Sequence, residues 1–118
     1  MSTNSRLRMV LPSGRAAKPI YCHYDGYPSY MLPILREHYN TIEKVEELLA
    51  LGDLSLLDVR VKPDSDEAHD FDNPAPGVTI AYHRDRGEDL VFTSSRQEYN
   101  YIFNGETWEI EQLTWWRI

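Results

Sequence analysis

The segment between Asn40 and Gly52 limits the fold most, because its pattern is compatible with one kind of element only. Apolar residues recur there at helical spacing and form one stripe, which consists of Ile42, Val45, Leu48 and Leu49. Asn40 predicts the N-cap, with Glu43 as its capping-box partner, and Gly52 predicts a left-handed C-cap. A helix with a single apolar stripe is stable only when another layer covers that stripe. The remainder of the chain must therefore supply this layer.

Strand patterns on both sides of this helix predict that the covering layer is a β-sheet. Asn104-Gly105 between alternating segments is the strongest short hairpin pattern, and Pro12-Ser13-Gly14 separates two further candidates. The candidate strands cover residues 6–11, 19–25, 78–83, 99–103 and 107–113, with a less regular extended segment at 54–61. We expect the strand at 78–83 to lie centrally. A second helix is predicted from about Leu32, because Pro33 is tolerated only near a helix start.

Together these elements predict a single α+β domain over residues 1–118. Its expected architecture is an antiparallel sheet of about four to five strands, with two helices near residues 30–51 packed on one face. A chain of 118 residues has the size of one domain. Residues 1–5 are predicted to be a disordered tail. Residues 62–77 contain three prolines and five acidic side chains, which predicts an exposed loop.

Charge and composition restrict the classes of partner. The formal net charge of -7 disfavours phosphate backbones and anionic membranes, so neither a nucleic acid nor a membrane partner is expected. No stretch approaches the length of a membrane span, and the polar segment at residues 1–5 does not resemble a signal peptide. The single cysteine, Cys22, fits a reducing compartment. The predicted location is therefore a cytoplasm.

Two aromatic and polar segments predict a candidate ligand site. Alternation along the second strand places Tyr21, His23 and Asp25 on one face, and Tyr82 ends a later strand. If the two strands end at a common rim, tyrosines and guanidinium groups would converge there and could hold a nucleotide-like anion. The predicted ligand-binding residues are Tyr21, His23, Asp25, Tyr27, Tyr82, Arg84, Asp85 and Arg86.

Catalytic alternatives are less well supported by the same residues. Two His-x-Asp pairs, at 23–25 and 83–85, could together supply four metal ligands, but Asp at a loop entrance commonly caps a turn. Cys22 lies on the same strand face as Ile20, which favours a buried hydrophobic role over a nucleophile. We therefore predict no enzymatic activity, no metal and no cofactor, and retain a metal-dependent enzyme as the weakest alternative.

The C-terminal segment predicts a contact surface for another protein. Trp115, Trp116 and Arg117 combine residue types that dominate binding hot spots, and simple core packing is the equally supported alternative.

Several words of the sequence, taken in order, resemble a family of small proteins encoded by tailed bacteriophages and prophages. They are Ile20 to Pro28 (IYCHYDGYP), Phe71 to Thr79 (FDNPAPGVT) and Arg84 to Glu88 (RDRGE). The resemblance implies a phage accessory protein that acts in the host cytoplasm. From this context we expect a protein that binds and modulates a host factor, with a factor of bacterial immunity as one candidate. The alternative is a protein that binds or sequesters a small anionic ligand.

Overall fold

The computed structural model describes residues 2–111, which fold into one compact α+β domain. Within that range the chain forms six strands and three helices. In chain order they are β1 (Ser5–Val10), β2 (Ala16–Cys22), α1 (Pro28–His38), α2 (Ile42–Leu49), β3 (Leu54–Leu56), β4 (Ile80–Ala81), α3 (Tyr82–Arg86), β5 (Tyr99–Phe103) and β6 (Trp108–Ile110). The prediction of an α+β class is confirmed.

The sheet has the strand order β4-β3-β2-β1-β5-β6, so β1 lies near its centre. β1 pairs antiparallel with β2, and β5 with β6, as the two predicted hairpins require. However, β1 pairs with β5 in parallel, and so does β2 with β3. The sheet is therefore mixed rather than purely antiparallel. These parallel pairs join segments distant in sequence, which a local pattern does not reveal.

The two longer helices cover one face of the sheet and bury its apolar side chains. Leu7, Ile20 and Tyr101 are register partners on that face, and each is completely buried. Residues one position away point to the opposite face by the two-residue period of a strand. Arg6, Tyr21 and Asn100 therefore share the face that the helices leave free.

Local chemistry corrects both predicted helix starts. α1 begins at Pro28 rather than near Leu32, with Pro33 inside it. Pro33 has no amide proton, so the Ser29 carbonyl loses its helical hydrogen bond. Both residues are exposed, so water can satisfy that carbonyl. α2 is capped by Thr41, whose Oγ1 accepts from the Lys44 amide at 3.2 Å. Asn40 is not the cap, because its side-chain amide donates backwards to the Glu37 carbonyl at 3.3 Å.

Two further expectations require correction. The pattern at 78–83 predicts a central strand, but only Ile80–Ala81 is a strand, and it lies at the sheet edge. The chain becomes helical at Tyr82 because the Asp85 carboxylate reaches back and accepts from the Ala81 amide at 2.7 Å. At the start of the chain, Ser5 belongs to β1 and is fully buried, so the tail predicted over residues 1–5 does not extend to Ser5.

Residues 62–77 contain no helix or strand, but they are anchored at several points. Arg60 binds Glu67 through two hydrogen bonds of 2.9 and 3.0 Å. The amide of Phe71 donates to the Asp85 carbonyl at 3.0 Å, and the side chain of His69 is only 2% exposed. The loop is thus held against α3.

Candidate functional site

A cleft opens on the sheet face that α1 and α2 leave free. It lies between β2, the chain before β3, α3 and an irregular segment of residues 87–97, which we call the strap. Two adjoining lobes, of about 150 and about 310 Å³, share three wall residues, and together they are the cleft described below. The shared walls are Asp53, Tyr82 and Glu88; His83, Asp89 and Val91 complete the smaller lobe, and Tyr21, Thr93 and Gln97 the larger one.

Asp53 organises this cleft by binding both the sheet and the strap. Its Oδ1 accepts from the backbone amides of Tyr21 at 3.0 Å and of Thr93 at 2.9 Å. Its Oδ2 accepts from the Thr93 hydroxyl, and its own amide donates to the Val91 carbonyl at 2.9 Å. One carboxylate thus satisfies three donors from two segments, β2 and the strap, which fixes the strap at a set distance from the sheet.

Gly52 allows the strap to approach this closely. A Cβ at Gly52 would lie 2.7 Å from Leu90 Cδ1 and 2.8 Å from the Val91 carbonyl oxygen. Its φ of +75° is also the left-handed conformation that favours glycine. Gly52 therefore both follows the end of α2 and leaves room for the strap.

Aromatic rings form one side of the cleft. The Tyr21 hydroxyl lies 2.6 Å from His23 Nδ1, and the His23 ring packs edge-on against Tyr24 at a centroid distance of 4.4 Å. Burial raises the pKa of Tyr21, and the nearby Tyr82 raises it further. Burial likewise raises the pKa of Tyr82, although a hydrogen bond with Ser55 and the charge of Arg86 oppose it. Both phenols are therefore neutral at neutral pH and cannot act as phenolate nucleophiles.

The structure places Arg84 away from the cleft walls, where its guanidinium is occupied by internal acceptors. It donates to the carbonyls of Val61 at 2.5 Å and Thr79 at 2.6 Å. It also makes hydrogen bonds of 2.7 and 3.0 Å to the two carboxylate oxygens of Asp85. An arginine bound in this way has no pair of free N–H donors with which to bind a ligand.

Asp85 is equally internal, with a side chain only 3% exposed. Besides Arg84 and the Ala81 amide, it contacts His69, whose Nε2 lies 3.1 Å from Asp85 Oδ1. The Ala75 amide donates to His69 Nδ1 at 2.9 Å, which orients the ring so that Nε2 faces the Asp85 carboxylate. Asp85 therefore holds the loop at 62–77 onto α3 and has no part in the cleft walls.

Arg86 lies against the rings that support the cleft. Its guanidinium carbon is 4.3 Å from the centroid of the Phe71 ring and 5.3 Å from that of Tyr82, and its Nε binds the Glu88 carboxylate. Among the described residues, the walls of the two lobes include no lysine or arginine. A nucleotide-like anion thus finds no cationic wall there, and the carboxylates of Asp53 and Glu88 would repel it.

The other predicted site residues lie on a neighbouring turn. Asp25 adopts a φ of +54°, which is uncommon for a residue with a side chain, and Tyr27 packs near Tyr30 at 6.1 Å between ring centroids. Neither Asp25 nor Tyr27 lines the cleft. The structure thus brings Tyr21 and Tyr82 together at one cavity, with His23 beside Tyr21, and separates the predicted carboxylates and arginines from it.

Two of the catalytic alternatives can be compared with the geometry. Within residues 2–111, no three His, Cys, Asp or Glu side chains gather closely enough to hold a metal ion. Cys22 is completely buried, and burial raises the pKa of its thiol to about 12. A thiol protonated over the whole physiological range is a poor nucleophile.

The sequence patterns missed most of the walls. Asp53, Glu88 and Asp89 lie outside the helices and strands, where acidic residues are common and do not by themselves indicate a binding site. The pair Gly52-Asp53 at a helix end, directly before a buried strand, is the one local feature that could have pointed to the site. Trp115, Trp116 and Arg117 lie outside the described residues, so the predicted contact surface there stays a prediction.

Comparison of the chain with protein-family models, with curated proteins and with solved structures finds no match. Over residues 2–111, the helices are too short and too polar to cross a bilayer.

Proposed function

We propose that this chain is a non-enzymatic binding protein that docks on another protein through its tyrosine turn, residues 24–27, and the adjoining cleft. The observation that carries the proposal is the exposure of two large aromatic side chains on a rigid turn. Tyr24 is 48% exposed and Tyr27 is 39% exposed. Tyrosine is enriched at binding hot spots because it offers a large contact area with few rotatable bonds.

Hydrogen bonds fix the backbone of the tyrosine turn on both sides. The amides of His23 and Tyr24 donate to the carbonyls of the first two residues of β3, Leu54 at 3.0 Å and Ser55 at 2.9 Å. The Gly26 amide donates to Thr3 at 2.9 Å, and the buried Tyr101 hydroxyl donates to the Gly26 carbonyl at 2.6 Å. Ordering a loop on binding opposes association, so a turn that is already ordered favours it.

Contacts between rings connect the turn to the cleft. Tyr24 packs on His23, whose Nδ1 meets the hydroxyl of Tyr21 in the cleft wall. The exposed turn and the acidic cavity thus form one continuous surface. With a net charge of -7, the chain favours a partner that presents a basic surface. That this partner is a host protein met during phage infection is supported by the sequence resemblance alone.

Affinity capture from a bacterial lysate, followed by calorimetry with the purified partner, tests this proposal. We expect Tyr24→Ala and Tyr27→Ala each to weaken binding by about 2 kcal/mol, roughly 30-fold, as hot-spot tyrosines do. Val10→Ala is the matched control, because Val10 is 37% exposed at the far end of β1, about 17 Å from Ser5. Equal binding by all three variants would refute the docking role of the turn. A Trp115→Ala, Trp116→Ala variant in the same assay tests the predicted C-terminal contact surface.

A further inference from the structure

Among the described residues, every Asp, Glu, Lys or Arg side chain in the cleft walls is a carboxylate. The walls include the carboxylates of Asp53, Glu88 and Asp89. His83 is fixed at the wall, because its Nδ1 lies 2.6 Å from the Glu88 carbonyl oxygen and donates to it. A ligand complementary to these walls must bring donors and positive charge.

We propose that the cleft receives the guanidinium group of an arginine side chain presented by the partner protein. This inference rests on the proposed function and names the chemistry that the partner supplies. Guanidinium carries five N–H donors and no acceptor, the complement of a cavity lined by acceptors. It is also planar and weakly hydrated, so it can stack on the rings of Tyr21 and Tyr82, which a compact ammonium group does poorly.

The cleft is large enough for an arginine side chain. Its main lobe of about 310 Å³ lies at the lower end of the roughly 300 to 1,000 Å³ found for small-molecule sites. Arg86 shows the same chemistry within the chain, since its guanidinium lies 5.3 Å from the Tyr82 centroid and binds Glu88. Arg86 occupies Oε2 of Glu88, so Oε1 is the oxygen of this carboxylate that a second guanidinium would use.

The inference is tested with small probes on the intact protein. N-acetyl-arginine methylamide is titrated while amide NMR shifts are recorded, and the citrulline and lysine analogues are titrated in parallel. Citrulline keeps the shape of arginine without its charge, and lysine keeps the charge without the planar fork. We expect saturable shifts at Asp53, Tyr82, Glu88 and Thr93 with the arginine probe, weaker ones with lysine and none with citrulline.

A matched pair of variants separates this site from general electrostatics. Asp89→Asn removes one exposed wall carboxylate, and we expect it to weaken arginine binding about threefold, as for an exposed ion pair. Asp66→Asn removes the same charge from the exposed loop at 62–77 and should change binding little. Equal effects of the two variants would overturn the assignment of the site to this cleft.

The remaining outcomes distinguish this inference from the proposed function. Equal affinity for the lysine or citrulline probe, or no saturable binding of arginine, overturns the guanidinium site, while the partner assay with Tyr24→Ala still decides the docking proposal. Saturable arginine binding in a protein that captures no partner supports the site and instead overturns the docking proposal.

Discussion

Replacing Asp85 with alanine tests the interior network that holds the loop at 62–77 on α3. The side chain of Asp85 is 3% exposed, accepts from the Ala81 amide and from Arg84, and lies 3.1 Å from His69 Nε2. Truncation leaves these donors without their partner in a buried place. Arg84 keeps its bonds to the carbonyls of Val61 and Thr79, so its charge is not entirely stranded.

The expected loss of stability follows from this partial compensation. Removing one member of a buried ion pair costs about 3 to 5 kcal/mol. Because the Arg84 side chain is 25% exposed and retains two acceptors, we expect the lower end, about 3 kcal/mol. A domain of 118 residues has roughly 6 to 18 kcal/mol of net stability, so the variant should fold but be clearly weakened.

Urea denaturation followed by circular dichroism measures this loss. With an m-value of about 1.5 kcal/mol/M, the urea midpoint should fall by about 2 M. Asp66→Ala is the control, because Asp66 is an exposed carboxylate in the same loop and should change stability by less than about 0.5 kcal/mol. A loss for Asp85→Ala below about 1 kcal/mol would refute the structural role assigned to the network.

The stability lost in Asp85→Ala should also depend on pH. Burial raises the pKa of Asp85, but the bonds from Arg84, the Ala81 amide and His69 lower it more, so the folded pKa lies below the ordinary value. The group therefore stabilises the fold above its unfolded pKa of about 3.9, and this contribution disappears as pH falls through the folded pKa. The difference in unfolding free energy between the wild type and Asp85→Ala should accordingly be constant near neutrality and shrink below about pH 3.9.

Three shorter predictions concern two glycines, the N-cap of α2 and the thiol of Cys22. Gly52→Ala should cost well over 1 kcal/mol because its Cβ meets the strap, whereas Gly87→Ala, at a similar φ with open space, should cost about 1 kcal/mol in urea denaturation. Thr41→Ala should cost about 1 kcal/mol and Asn40→Ala much less, which thermal melts resolve. Cys22 should react with a disulfide reagent only as fast as the protein opens, measured by thiol release at pH 8.

Elements with a complete local pattern could be predicted from the sequence. The stripe of α2 and the Asn-Gly hairpin between β5 and β6 each depend on residues within a dozen positions, and both are found. The predicted N-cap of α2 was wrong by one residue. Asn40 and Thr41 can both accept a hydrogen bond, and only the path of the chain decides between them.

Features that depend on distant segments could not be predicted. The cleft is assembled by Asp53 binding Thr93, forty residues further along, and neither residue has a distinctive local pattern. The internal position of the Arg84 side chain could not be predicted for a similar reason. Arg84 meets carbonyl acceptors contributed by Val61 and Thr79, and no sequence pattern shows that those acceptors are close.

The parallel pairing of β1 with β5 has a consequence for folding during synthesis. Ser5 is the register partner of Tyr99, so a central strand of the sheet lacks one neighbour until the ribosome has translated residues 99–103. Pairing across such a separation is slow, because loop closure must precede any gain from contact. We expect force profiles of stalled nascent chains to show one late folding step, after residue 103 has left the exit tunnel, rather than a gradual series.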